Sequence, residues 1–302
     1  MAVNVEMWRP DIIEGLYKSN AFMRRAYDAD EYVVGGSIVH IPQSGGGAGV
    51  ERNRSVLPAA IVQRADTDIV YPLDEYTSNP THIPHAETME LSYDKRQSVI
   101  RENTAEMMEF VGDDLLYKWS ANIPAANKVV TTGSTAAATA PGATGTRKIL
   151  TEADILKAKF LLDQQNVPRD GRVLILPAAM IYQILQDSNL KYAFQQVINL
   201  PEGVMARLHG FDVIERSRVI IQGDGGTSGA PKLPEAASAT TDDEAGLFYQ
   251  QDMVERALGT VEMFDDQRKP EYYGDIVSFL IRMGGRNRRE DNKGVGLIVA
   301  SD

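Results

Sequence analysis

The chain has 302 residues, with 31 lysines and arginines against 42 aspartates and glutamates, which gives a formal charge of −11 at pH 7. It contains no cysteine, which excludes a disulfide framework, a thiolate nucleophile, an iron–sulfur cluster and a cysteine zinc site. The length predicts about two folding units, and the acidic balance argues against a chain built to coat nucleic acid or an anionic membrane.

The N-terminus lacks the basic region and apolar run of a secretory signal. No apolar stretch approaches the ~20 residues that a membrane-spanning helix needs. We therefore expect a soluble protein that is made in the cytoplasm and has no membrane partner.

Residues 1–30 place several large apolar groups on a short helix. Ile12, Ile13 and Leu16 share one helix face, and Trp8 precedes it. Such a short segment must dock on something, because an isolated helix of this length is unstable in water. The partner is either its own domain or a neighbouring subunit.

Two β-rich runs, 32–42 and 61–76, follow and predict a long two-stranded projection. Between them lie the glycine-rich residues 44–49 and a basic tip that carries Arg52 and Arg54. An isolated hairpin is only marginally stable in water, so we expect this one to lean on a partner surface.

The clearest helix begins at Asp94, with Gln97 as its capping-box partner, and runs for about 25 residues. We interpret its apolar side chains as core rather than as a cofactor site. These side chains are Ile100, Met107, Met108, Phe110, Val111, Leu115 and Trp119.

Residues 131–146 are rich in threonine, alanine, glycine and serine, which favours a loop. A capping box formed by Thr151 and Asp154 then starts a second helix. The apolar residues of this helix are Ile155, Leu156, Phe160 and Leu162.

The run 173–176 is apolar at every position and too short for a helix, which predicts a buried central strand. Pro177 fits the first position of a helix that reaches about Gln186. Further strands are predicted at 211–214 and 219–221.

Residues 223–246 predict a long loop that is functional or mobile. A short helix is predicted at 253–258, followed by strands at 261–264, 276–283 and 295–299.

No motif of catalysis or of ligand binding is present. The four histidines form no HExxH motif, and Asp66 and Asp68 are interpreted as the solvated side of a strand. The glycine-rich stretches lack the lysine and serine or threonine of a phosphate loop. We predict no enzyme activity, no cofactor, and no catalytic, cofactor-binding or metal-ligating residue.

The order of these parts resembles a known family. The segments 35–42, 166–177 and 210–217, together with the glycine-rich hairpin and the long helix, are similar in order and spacing to those of tailed-bacteriophage major capsid (coat) proteins of the Hong Kong 97 type. The resemblance covers nearly the whole chain.

The resemblance implies an α+β fold with four parts. Residues 1–30 would be an N-terminal arm and 31–80 an extended loop, or β-ribbon. Residues 81–120 and 246–302 would form a peripheral domain with the long spine helix, and 121–245 an axial domain.

The resemblance also implies a structural protein that self-assembles into hexamers and pentamers of an icosahedral head enclosing double-stranded DNA, without sequence-specific binding. It would be made in the host cytoplasm and become part of the virion. Because the arm begins near Met1, we expect a separate scaffolding protein, with a portal and decoration proteins as further partners. Residues 35–80 contain no lysine, so we expect no isopeptide cross-link from that loop.

The arm and the ribbon tip are the candidate contacts between subunits, and the bland interpretation of their charges is solvated surface. The interface candidates are Trp8, Arg9, Ile12, Ile13, Leu16, Arg24, Arg25, Arg52 and Arg54. Two other functions stay open: an encapsulin-type nanocompartment shell protein, and a soluble enzyme or ligand-binding protein with an unrecognised site.

Overall fold

The structure is a computed structural model in which most of the chain is described. The described residues are 12–16, 20–34, 37–43, 49–55, 57–59, 61, 63–64, 66–84, 95–186, 203–223 and 226–301. Asp94, the predicted cap of the long helix, lies outside them. Among the described helices, none is both long enough and apolar enough to cross a bilayer.

Three helices of more than two turns are described, after a helical turn at residues 12–16. Helix α1 spans Lys95–Ser120, α2 spans Glu152–Gln164 and α3 spans Ala178–Gln186. The 26 residues of α1 confirm the predicted long helix. The capping box at the start of α2 is also confirmed, with the Thr151 and Asp154 side chains each bonding the other's backbone.

The described strands are numbered in chain order. They are β1 Tyr27–Asp28, β2 Val33–Val34, β3 Ile38–Gln43, β4 Thr67–Pro72, β5 Asp74–Thr77, β6 Thr81–Pro84, β7 Lys128–Val130, β8 Thr135–Ala137, β9 Thr146–Lys148, β10 Arg172–Pro177, β11 Ala206–Leu208, β12 Phe211–Arg216, β13 Ile220–Gln222, β14 Pro231–Lys232, β15 Asp243–Gln250, β16 Val254–Lys269, β17 Gly274–Asn287 and β18 Val295–Val299.

An eight-stranded sheet forms the centre of the molecule. Its order is β11-β12-β10-β15-β13-β14, with β18 pairing to β15 and β7 pairing to β18. Strand β10 lies between the parallel β12 and the antiparallel β15, and all six of its residues are buried. This confirms the central strand that the apolar run 173–176 predicts.

Each face of this sheet packs on helices, which explains why β10 is apolar at every position. Val173 and Ile175 join the cluster that contains Leu115 of α1. Leu174 and Leu176 point to the opposite face and join the core under α2 and α3. The sheet is therefore sandwiched between the long helix and the two shorter ones.

A second, five-stranded sheet is built on the long hairpin of β16 and β17. Strand β1 pairs parallel to β16, whereas β5 and β6 both pair antiparallel to β17. The prediction of a helix at 253–258 is wrong, because residues 254–258 are the start of β16. There Arg256 is held by Asp28 and by the backbone oxygen of Met23, and Ala257 is fully buried.

The predicted loops also contain strands. Residues 131–146 include β8 and the first residue of β9, which pair as a small hairpin. Strands β14 and β15 lie partly within the predicted loop 223–246. The predicted domain limit between 245 and 246 falls inside β15, so it would divide hydrogen-bonded residues of a single strand.

Candidate subunit interface

The projection predicted between residues 32 and 76 is present as a pair of antiparallel strands, β3 and β4, which we call the ribbon. Its two faces differ in burial. Val39 and Ile41 are buried on the inner face, together with Ile69 and Tyr71 of the opposite strand. They pack in a small core that includes Ala257 of β16, so the ribbon is attached along one face only.

A polar cluster fixes the base of the ribbon to β16 and β17. The Tyr71 hydroxyl donates to Glu255 at 3.0 Å, and the Arg288 guanidinium lies 3.1 Å from the same carboxylate. Arg288 also stacks over the ring of Tyr27 at 3.8 Å, and its carbonyl oxygen accepts a hydrogen bond from Gln43. Burial raises the pKa of Glu255, and the Tyr71 hydrogen bond and the charge of Arg288 oppose that shift.

The described residues between 49 and 64 form the tip of the ribbon, and they leave apolar side chains in solvent. Val50 and Ile61 are fully exposed, and Leu57 is 79% exposed. Arg52 and Arg54 are exposed beside them, and Arg54 forms an ion pair with Glu51 at 3.3 Å. Single exposed apolar residues are common on surfaces, and three of them on one projection make the tip a candidate contact between subunits.

The arm behaves differently from the tip. Ile12 and Leu16 are 5% and 0% exposed, and they lie in the same core cluster as α1, where Phe22 and Met23 are also buried. Ile13 is half-buried against that cluster. For Ile12 and Leu16 the structure therefore corrects the interface prediction: these side chains pack on their own chain and are not open to a neighbour.

The remaining arm candidates are polar or lie outside the described residues. Trp8 and Arg9 belong to the part of the chain that is not described. Arg24 is exposed, whereas Arg25 is half-buried and forms an ion pair with Asp212 of β12 at 3.2 Å. Within the described arm, Arg24 is therefore the predicted contact that faces solvent most fully.

Exposed apolar side chains also lie on α2 and α3, where no subunit contact is predicted from the sequence. Leu156 and Phe160 lie one turn apart on α2 and are 42% and 61% exposed. Tyr182 of α3 is 65% exposed. Helical periodicity identifies which residues share a face, but a face that packs on a neighbour looks the same in sequence as one that packs internally.

The two aspartates named in the sequence, Asp66 and Asp68, each have a polar partner. His40 Nδ1 lies 2.6 Å from Asp68 on the outer face of the ribbon, and Arg64 Nε lies 2.7 Å from Asp66. Across the described ranges, no three histidine, aspartate or glutamate side chains converge on a position suited to a metal ion.

Comparisons with known proteins show which family and which solved structures the chain is similar to. A family model described as phage capsid protein matches residues 13–272. The fold is similar to the capsid of Ralstonia phage GP4, with a TM-score of 0.68 and 11% identity over 92% of this chain and 87% of that one. The capsid of the cyanophage P-SCSP1u gives a TM-score of 0.61 and 14% identity over 92% and 87% of the two chains.

A protein of Mycobacterium phage Che8 gives a TM-score of 0.58 and 15% identity over 92% of this chain and 89% of that one. No curated protein sequence matches the chain. At these identities the structural likenesses establish the fold, and they confirm the α+β capsid architecture that the sequence predicts.

Proposed function

This chain belongs to the phage capsid protein family, and we propose that its copies assemble into the hexamers and pentamers of an icosahedral head that encloses double-stranded DNA. Family membership makes it a major capsid protein with a structural role and a component of the virion. A shell built from one sequence needs surfaces that are complementary between copies, and head-to-tail contacts of this kind generate closed rings.

The observation that carries this proposal is the tip of the ribbon. Val50, Leu57 and Ile61 are exposed at the end of a projection that its own chain supports on one face only. Burying one such side chain contributes roughly 1.5–3 kcal/mol. Contact with a neighbour would therefore stabilise the assembly by several kcal/mol for each ribbon.

We also propose a revised division of the chain. The axial part would comprise the eight-stranded sheet with α2 and α3, so that β15 and β18 belong to it. The peripheral part would comprise α1 and the five-stranded sheet. The support for this division is that each sheet keeps its own strands hydrogen-bonded together.

Electron microscopy of the purified protein tests the assembly directly. We expect megadalton shells, or rings of five and six copies, and a small soluble oligomer at all concentrations would contradict the proposal. Shells that carry an enzyme instead of DNA would indicate an encapsulin-type compartment. Co-expression with the neighbouring genes of its phage would test for a separate scaffolding protein, a portal and decoration proteins.

The absence of lysine from residues 35–80 makes a second prediction about assembled particles. Without a lysine, the extended loop cannot supply the amine of an isopeptide bond. Denaturing electrophoresis of particles should therefore give a single band at 33.2 kDa. A ladder of covalent multimers would contradict this prediction.

A further inference from the structure

A buried carboxylate lies under the ribbon. Glu255 and Ala257 are two residues apart on β16, so their side chains point to the same face of that strand. Ala257 belongs to the small apolar core of the ribbon, and the Glu255 side chain is only 3% exposed. Lifting the ribbon from β16 would therefore give Glu255 access to water.

The two partners of this carboxylate belong to different parts of the chain. Tyr71, on the ribbon, donates from its hydroxyl to Oε1 of Glu255 at 3.0 Å. Arg288, which follows β17, lies 3.1 Å from Oε2. The surroundings of the carboxylate therefore change when the ribbon moves, because one partner moves with the ribbon and the other stays with the body of the chain.

Other titratable or charged groups face the same position from neighbouring strands. Tyr27 of β1 and Arg286 of β17 lie opposite Glu255 in the registers of the two strand pairs. Asp30, which follows β1, also faces this cluster, but it accepts a hydrogen bond from the backbone of Leu258 at 2.7 Å. Asp30 is thus held by the body of the chain, whereas Glu255 is bonded by the ribbon.

We propose that Glu255 makes the attachment of the ribbon to its own chain depend on a proton: uptake of a proton by this carboxyl holds the ribbon against β16, and its loss loosens the ribbon. The physical reason is the cost of burying a charge. An ionised carboxylate loses its hydration when the ribbon covers it, whereas the neutral carboxyl loses much less and can still share a hydrogen bond with Tyr71.

The direction of the effect follows from the pKa of Glu255 in the two positions of the ribbon. With the ribbon in place, burial raises this pKa, and the Tyr71 hydrogen bond and the charge of Arg288 oppose the shift only in part. With the ribbon lifted, contact with water would return the pKa toward that of an ordinary glutamate, about 4.3. The attached state therefore binds the proton more tightly, so attachment is firmest below about pH 4 and weakens as the pH rises through the raised pKa.

The dependence on a proton is a property of the single chain. Its consequence for assembly rests on the proposed function: at neutral pH a subunit would hold its ribbon less firmly, and the ribbon would be freer to change its angle when it meets a neighbour. Acidic conditions would instead keep the ribbon on its own subunit.

Single-cysteine labelling measures the attachment, because the natural chain has no cysteine. The variant Val39→Cys places a thiol under the ribbon, at a position that is 0% exposed, and Val70→Cys places one on its outer face, at a position that is 45% exposed. The ratio of their labelling rates with a maleimide, in the unassembled chain, reports opening of the inner face and cancels the pH dependence of the thiol. Between pH 5 and pH 8 we expect the relative labelling of Val39→Cys to rise at least about threefold.

Two substitutions identify the group that titrates. Glu255→Gln keeps the shape and an acceptor for Tyr71 but cannot ionise, so it should abolish the rise. Asp30→Asn should retain the rise, because the body of the chain holds Asp30. A ratio that does not change with pH in the natural background, or an undiminished rise in Glu255→Gln, would overturn the inference.

A third cysteine position separates opening of the ribbon from unfolding of the chain. Val213→Cys lies in β12 at a position that is 0% exposed, and it should stay protected at every pH. An equal rise at this position would mean that the whole fold opens, which would also overturn the inference. None of these measurements needs assembled particles, so their failure leaves the proposed function standing, and a chain that forms no shells or rings contradicts the proposed function alone.

Discussion

The eight-stranded sheet and the ribbon differ in how much of their apolar surface the chain itself buries. Strand β10 is buried at all six positions because helices cover both faces of its sheet. In β3 and β4 buried and exposed positions alternate, since only the inner face packs on the body of the same chain. Beyond these strands, the tip exposes large apolar groups that no described residue covers.

The difference separates two kinds of stability. The central sheet derives its stability from contacts within the chain, so it should be equally stable in the free subunit and in an assembly. Under the proposed function, the tip would gain stability from contact with another copy. Substitutions in the two regions should therefore affect different measurements.

The largest effect on folding is expected at Trp119, which is fully buried between Phe22 and Tyr249 and donates from Nε1 to the Glu255 carbonyl at 3.0 Å. Trp119→Ala should lower the free energy of unfolding by about 3–5 kcal/mol, because it leaves a large cavity. Denaturant titration of the unassembled chain would measure this. Phe160→Ala, at an exposed position, is the control and should change the value by less than ~0.5 kcal/mol.

An intermediate effect is expected from Asp113, which pairs with Arg216 at 2.7 Å and joins α1 to β12. Burial raises the pKa of Asp113 to about 6, although the charge of Arg216 partly opposes the shift. Because the folded-state pKa lies above the unfolded one, the stability that protonation contributes is complete below about pH 4 and is lost as the pH rises through about 6.

Asp113→Asn should therefore remove one component of the pH dependence of unfolding. Between pH 4 and pH 7 the free energy of unfolding of the natural chain should fall, relative to the variant, by on the order of 2 kcal/mol. Parallel stability curves for the two proteins would show that this carboxyl does not titrate as its burial implies.

The smallest effect on folding is expected at the tip. Replacing Leu57 and Ile61 together with serine should change the free energy of unfolding of the free chain by less than about 0.5 kcal/mol, because both side chains are already in solvent. The same variant should lose most of its assembly, as judged by light scattering and microscopy. If this variant unfolded at a lower denaturant concentration but assembled normally, the tip would contribute to the stability of the free chain and not to assembly.

The sequence predicts the central elements well, because their patterns have few alternatives. A run of apolar residues bounded by polar ones, as in β10, is too short for a helix and too apolar for a surface. The spine helix is long enough that its helical spacing repeats many times, and its predicted length agrees with α1. These features depend on local pattern and burial alone.

Elements that depend on distant partners are predicted poorly. Residues 253–258 contain good helix formers, but pairing with β17 and the contacts of Arg256 hold them in a strand. Residues 242–244 are all acidic and suggest a solvated loop end, yet they are buried. Each has a partner that is remote in sequence: Lys232 for Asp242, Arg147 for Asp243 and Thr139 for Glu244.

The candidate interface shows the same limit. Amphipathic spacing identifies Ile12 and Leu16 as residues that must be covered, but it does not distinguish their own core from a neighbouring subunit. The tip residues Arg52 and Arg54 are exposed as expected, and their role as contacts stays a prediction.

The junction between β4 and β5 has a mechanical consequence. A single residue, Leu73, separates the ribbon from a strand that pairs with β17 through four residue pairs. Tension applied to the tip would pass along β4 directly into β5 and would act along the strands, so that these hydrogen bonds resist it in shear and together. If a neighbouring copy held the tip, a force on that copy would therefore pass through the ribbon into the β16–β17 hairpin of the ribbon's own chain, without a flexible joint between them.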